Sequence, residues 1–125
     1  MHIATIIKDG ITFVQMSGPI DRSSVADLER LRAELAEKAP QSVLFHAGGV
    51  DLIKPEAYRA FAMTCKDLKA AKIPFRFVFR NAGPRKALID DGLLDRRDIS
   101  DSVEEAAKAL AAAAAIPAAG KKSPA

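Results

Sequence analysis

Residues 3–17 read Ile3-Ala4-Thr5-Ile6-Ile7-Lys8-Asp9-Gly10-Ile11-Thr12-Phe13-Val14-Gln15-Met16-Ser17. Two β-type runs, Ile3 to Lys8 and Ile11 to Ser17, flank Asp9-Gly10. Asp-Gly between apolar runs is a strong hairpin signal, because both central positions of the tight turn need positive φ. The chain therefore opens with an antiparallel pair.

Beyond Ser17 the pattern changes. Gly18-Pro19-Ile20-Asp21 breaks the strand, and a helix is expected from about Ser24, which can act as its cap with Asp27 three residues on. Val25, Leu28, Leu31 and Leu35 share one helical face and Ala39-Pro40 ends it. Ser42 to Ala47 is a short apolar run read as a buried strand, and Gly48-Gly49 loosens the chain after it. Pro55 suits the first turn of a second helix, where a missing N–H costs nothing. Tyr58, Phe61, Cys65 and Leu68 form its buried face. Phe75 to Phe79 is another interior strand. Pro84 starts a short helix that Gly92 can end, Ile99 lies in a minimal strand, and Ser102 with Glu105 forms a capping box for a last helix to about Ala115.

After the hairpin, strands and helices alternate, which implies mainly parallel pairing through helical crossovers. The expected fold is α/β: an initial antiparallel hairpin, then a mainly parallel sheet of about five strands flanked by about four helices. With 125 residues the chain has the size of one domain, assigned to residues 1–116. Residues 117–125 lack an apolar pattern and are expected to be a disordered tail.

Composition narrows the function classes. The formal charge is +3, but Lys121 and Lys122 lie in the tail, so the remainder is close to neutral. Arg76, Arg80, Arg85, Lys86, Arg96 and Arg97 are interspersed with Asp90, Asp91, Asp95 and Asp98, which reads as a mixed solvated surface and not as a nucleic-acid face. Cys65 is the sole cysteine, so no internal disulfide forms, and a reducing, cytoplasmic setting is expected. Nothing at Met1-His2-Ile3 looks like a signal peptide, and the alanine run near 109–115 is too short to span a bilayer.

The residues that could carry chemistry do not assemble into a pattern. His2, His46 and Cys65 have no metal-ligand spacing. Cys65 reads as a core residue, and Asp90-Asp91 as a solvated helix end. Gly48-Gly49 is not followed by the Gly-Lys-Ser/Thr of a phosphate loop. Neither a catalytic group nor a cofactor or metal site is expected.

Three segments together resemble the STAS domain family of sulfate transporters and anti-sigma-factor antagonists. They are Met16 to Asp21 with the amphipathic helix after it, Ser42 to Ile53 as a central strand with its exit, and Gly92 to Ile99 followed by Ser102 and an alanine-rich helix. The resemblance covers roughly residues 3–113. It implies that the chain docks onto another protein. In that family the segment after the strand exit reads Asp-Ser-Ser/Thr-Gly, and its second hydroxyl is phosphorylated by a partner kinase. Here the corresponding residues are Lys54, Pro55, Glu56 and Ala57, so the usual phosphorylation has no acceptor. Glu56 then stands at the position of the family phosphoserine.

Two readings of Glu56 remain open. An anion in a first helical turn is favoured by the dipole, so Glu56 is either a fixed imitation of the phosphorylated state or simply a helix stabiliser. Lys54 pairs with a partner's acid or with Asp21, or is only solvated.

The implied docking face comprises Asp21, Asp51, Lys54, Pro55, Glu56, Tyr58 and Arg59. Its implied partners are an anti-sigma factor or serine kinase, related STAS proteins in a scaffold, or a second copy of the chain. An accessory subunit docking on the ATPase of a lipid transporter is a second class. A nucleotide-responsive domain using Asp21, Arg22, Asn81 and Arg85 is a third.

Overall fold

The computed structural model describes residues 2–92 and 94–122. Strands β1 (His2–Lys8) and β2 (Ile11–Ser17) pair antiparallel, with Lys8 opposite Ile11. Asp9 and Gly10 between them have φ of 53° and 79°, the paired positive values the Asp-Gly dipeptide predicts. Strand β3 (Ser42–Gly49) runs parallel to β2, β4 (Phe75–Phe79) parallel to β3, and the short β5 (Ile99–Ser100) parallel to β4. The sheet order is therefore β1-β2-β3-β4-β5, the expected hairpin followed by parallel strands. Helices α1 (Val25–Lys38), α2 (Tyr58–Ala70) and α3 (Ala82–Asp90) make the crossovers, and α4 (Val103–Lys122) closes the chain.

Alternation along the strands sends one set of side chains to each face. On the larger core, Val14, Met16, Phe45 and Phe77 meet Leu28, Leu31 and Leu35 of α1 and Phe61, Cys65 and Leu68 of α2. Phe77 lies at its centre, stacked on Phe45 at 4.3 Å and on Phe79 at 5.7 Å between ring centroids. Burying one such ring contributes about 1.5–3 kcal/mol. On the opposite face, Ala106 and Leu110 of α4 cover Ile11, Leu44 and Val78. Strand β3 is thus buried on both sides, which is why Val43, Leu44, Phe45 and Ala47 read as a nearly unbroken apolar run. The sheet is less covered at β1, where Ile6 and Ile7 are 64% and 68% exposed.

The helix ends refine the sequence reading. Ser24 does not cap α1 with its side chain. A short 3-10 turn, Arg22–Ser24, intervenes, and its cap is Asp21: the carboxylate accepts the Ser23 amide, while Ser24 Oγ accepts the Asp21 amide at 3.1 Å. The capping box therefore starts three residues earlier than Ser24 and Asp27 suggest. Ala39 ends α1 in the left-handed region at φ 44°, with its amide bonded to the Leu35 carbonyl. Ser102 caps α4 as expected, accepting the Glu105 amide at 3.1 Å. Helix α4 continues to Lys122, past the expected end near Ala115 and into the stretch assigned to the tail. Alanine has the highest helix propensity of all residues, and it dominates the turns leading there. Ser123, Pro124 and Ala125 of that tail lie outside the described residues.

Candidate docking face

The segments leaving β2 and β3 lie side by side at the carboxyl end of the strands. Backbone bonds hold them together: Gly18 N–H donates to the Gly49 carbonyl at 3.0 Å, Ile20 N–H to Leu52 at 2.8 Å, and Lys54 N–H to Ile20 at 2.8 Å. Ile20 and Ile53 form an isolated parallel bridge, and both side chains are buried. Asn81, after β4, donates its amide to the Val50 carbonyl at 3.0 Å. Three strand exits are thereby fixed to one another.

Gly49 makes this close approach possible. A Cβ there would lie 2.7 Å from Ser17 Cβ, inside the distance real Cβ atoms keep. Gly49, where pairing with β2 resumes after the extra residue of β3, therefore has to be small.

Pro55–Ala57 is a 3-10 turn that follows the extended Lys54, which makes no side-chain cap bond, and leads directly into α2. Ile53 and Ala57 point inward and anchor it. Asp51, Lys54, Pro55, Glu56 and Arg59 are exposed around them, and Tyr58 is half-buried. The turn that leads into α2 is thus open to solvent at Pro55 and Glu56. Leu52, which the sequence reading did not single out, is 46% exposed among these charges. Its only sequence signal is position: it sits beside the buried Ile53 in a segment of extended chain, where neighbouring side chains point to opposite sides.

Asp21 belongs to the same end of the molecule but has a local task. Its carboxylate accepts the Ser23 hydroxyl at 2.6 Å and the Ser23 amide at 3.0 Å. The hydroxyl bond is the main reason its pKa is lowered, with a smaller push from the Lys54 charge. Asp21 and Lys54 nevertheless form no ion pair among the described residues. Lys54 is left to solvent. Burial raises the Tyr58 pKa, and the Asp91 carboxylate beyond it adds to the effect.

Three of the residues of the nucleotide reading are engaged elsewhere. Asn81 is bonded to Val50, Asp21 to its own turn, and Arg85 lies 3.4 Å from Asp101. Among the described residues, no group of three His, Cys, Asp or Glu side chains is placed to hold a metal. Cys65 is buried, which pushes its thiol up to about 12, with Lys69 opposing the shift only in part. No helix among the described residues is long and apolar enough to cross a membrane. The face offers an exposed apolar side chain and several exposed charges on a backbone held by hydrogen bonds between the strand exits.

Comparison with known proteins gives one family model, the STAS domain, matching residues 2–106. Similar solved structures include an anti-sigma factor antagonist from Mycobacterium paratuberculosis, 21% identical with a TM-score of 0.76 over 87% of this chain and 92% of that one. A serine-to-glutamate variant of RsbS from Moorella thermoacetica is 14% identical, with a TM-score of 0.72 over 91% of this chain and 98% of that one. The phosphorylated form of the Bacillus cell fate determinant SpoIIAA is 13% identical, with a TM-score of 0.67 over 85% and 96%. At these identities the likeness is one of fold. No curated protein matches the chain.

Proposed function

The chain belongs to the STAS domain family, and we propose that it works as a non-catalytic docking adaptor of the partner-switching kind, with a face that is permanently set. The observation that carries this reading is the exposed loop and turn that lead into α2. There the exposed Leu52 shares a short stretch of chain with the exposed Asp51, Lys54, Glu56 and Arg59, while the buried Ile53 and Ala57 anchor the backbone. A central apolar group within a charged rim is how protein interfaces are usually built. Glu56 occupies the place of the family's phosphorylated hydroxyl and puts a fixed negative charge in the turn that starts α2. The dipole at that end favours such a charge. That the same fold occurs in a glutamate-for-serine variant of RsbS and in phosphorylated SpoIIAA supports its compatibility with negative charge.

The partner on this reading is a protein: an anti-sigma factor or serine kinase, or a related STAS domain. Tyr58 and Asp21 shape the rim, and Lys54 is free to meet an acidic group. Docking on a transporter ATPase would use the same face, and the identity of the captured chain separates the two.

The test is affinity purification from the native cell, followed by binding measurements on the partner recovered. Leu52→Asp and Glu56→Lys each weaken binding by at least about tenfold, or ~1.4 kcal/mol. Unchanged capture by both variants would remove the face from consideration.

A further inference from the structure

The two edges of the sheet differ. At one edge β5 has two residues, so short that little backbone is left unpaired. At the other, β1 runs for seven residues and carries two of the three large apolar side chains that stand out into solvent among the described residues, Ile6 and Ile7. Between His2 and Lys8 it has no proline, no charge and no bulge, the devices that normally blunt an open edge.

The hairpin dictates which backbone groups are free. In a two-residue hairpin the flanking residues, Lys8 and Ile11, exchange both of their hydrogen bonds. Alternation then makes Ile6–Phe13, Ala4–Gln15 and His2–Ser17 the other bonded pairs. The amide and carbonyl groups of Ile3, Thr5 and Ile7 therefore point away from β2 and meet no strand.

We infer that β1 pairs antiparallel with β1 of a second copy of this chain, with Thr5 on the two-fold axis, and joins the two sheets into one. The strand is complementary to itself in this register. Thr5 faces Thr5, and Ile3 faces Ile7 of the second copy, so every free donor and acceptor of these three residues finds a partner. The side chains match as well: Ile3 and Ile7 lie together on the face that carries α1 and α2, and Ala4 lies beside Ile6 on the other. Shifting the register by two residues leaves one of the three without its partner. A carboxylate beside the axis is Glu34, which accepts the Thr5 hydroxyl at 3.4 Å. It is already neutralised by Lys38 at 2.9 Å, so the axis does not bring bare charges together.

This dimer leaves the face at Leu52 and Glu56 open, because that face lies at the carboxyl end of β2 and not along the β1 edge.

A cysteine scan reads the register directly, since the native Cys65 is buried. In bonded antiparallel pairs the Cα atoms are about 5.5 Å apart, within disulfide reach. Under mild oxidation Thr5→Cys forms a covalent dimer. Ile7→Cys alone does not, because its two copies would be about 13 Å apart along the strand. A mixture of Ile3→Cys and Ile7→Cys links the two different variants. Sedimentation of the unmodified chain shows a monomer–dimer equilibrium, and Thr5→Pro, which removes a donor that is free in the monomer, shifts it to monomer with unchanged circular dichroism. If Thr5→Pro fails to fold, the cysteine scan still decides. A monomer at every concentration, or cross-linking at position 7 as fast as at position 5, overturns the inference.

Discussion

Replacing Gly49 by alanine tests whether the strand exits are held as tightly as the structure shows. The new Cβ would start 2.7 Å from Ser17 Cβ and 3.2 Å from Ser17 Cα. Relief requires moving β3 away from β2 by much of an ångström, or breaking the Gly18–Gly49 bond of 3.0 Å. Overpacking of this kind costs about 1–3 kcal/mol. A lost hydrogen bond adds about 0.5–1.5 kcal/mol. The stiffer unfolded chain of an alanine offsets about 0.4–1 kcal/mol. The net loss is about 0.5–4 kcal/mol, a fall in Tm of roughly 2–20 °C for a domain of this size. Two other glycines supply controls. Gly83 sits in α3 with nothing within 4 Å of a new Cβ, so Gly83→Ala raises stability by about 0.4–1 kcal/mol. Gly92 is equally open but has φ +74°, so Gly92→Ala loses about 1–2 kcal/mol from backbone strain alone. Chemical denaturation of the three variants gives the order directly. Binding to the captured partner separates the two destabilised ones, because only Gly49→Ala displaces Val50 to Lys54. A Gly49→Ala protein as stable as the wild type would refute the steric reasoning.

Two further predictions concern titratable groups. The folded state lowers the Asp21 pKa, so the stabilisation it brings is complete above the ordinary aspartate value and is lost as pH falls below about 4. Asp21→Asn keeps an acceptor for Ser23 but cannot titrate. The stability gap between wild type and variant, measured by denaturant unfolding, narrows below about pH 4, and a gap constant down to acid unfolding contradicts the assignment. Cys65, with its thiol pushed up to about 12, has about one thiolate in ten thousand at pH 8 and is screened by the core. It reacts with a thiol reagent only at the rate at which the chain unfolds; labelling at the rate of a free thiol would place it on the surface.

Much of the architecture is readable from local patterns. The Asp9-Gly10 turn marks the hairpin because few dipeptides tolerate two positive φ values, and the strand bounds at Ile11 and Ser17 follow. The run from Val43 to Ala47, broken only by His46, identifies β3 because a strand covered on both faces is apolar at nearly every position. What escaped the sequence depends on contacts between distant segments. Asp21, not Ser24, caps the turn because Ile20 is tied to Ile53, which fixes where the chain can enter the helix. Lys54 and Asp21 are near enough for the charge to be felt, but Asp21 is already held by Ser23. The exposure of Leu52 follows from the burial of Ile53, and nothing in the order of residues says which of the two would face inward. The open positions of Lys54, Pro55, Glu56 and Arg59 follow more simply from a proline at the start of a helix.

The bonds from Gly18, Ile20 and Lys54 bind the two exits into a single block before any partner arrives. A surface that is already shaped loses little freedom when it is covered, so the proposed docking would be governed by encounter and orientation and not by a search among loop conformations. Calorimetry would then report a heat-capacity change that reflects the area covered, without the larger contribution that accompanies folding on contact.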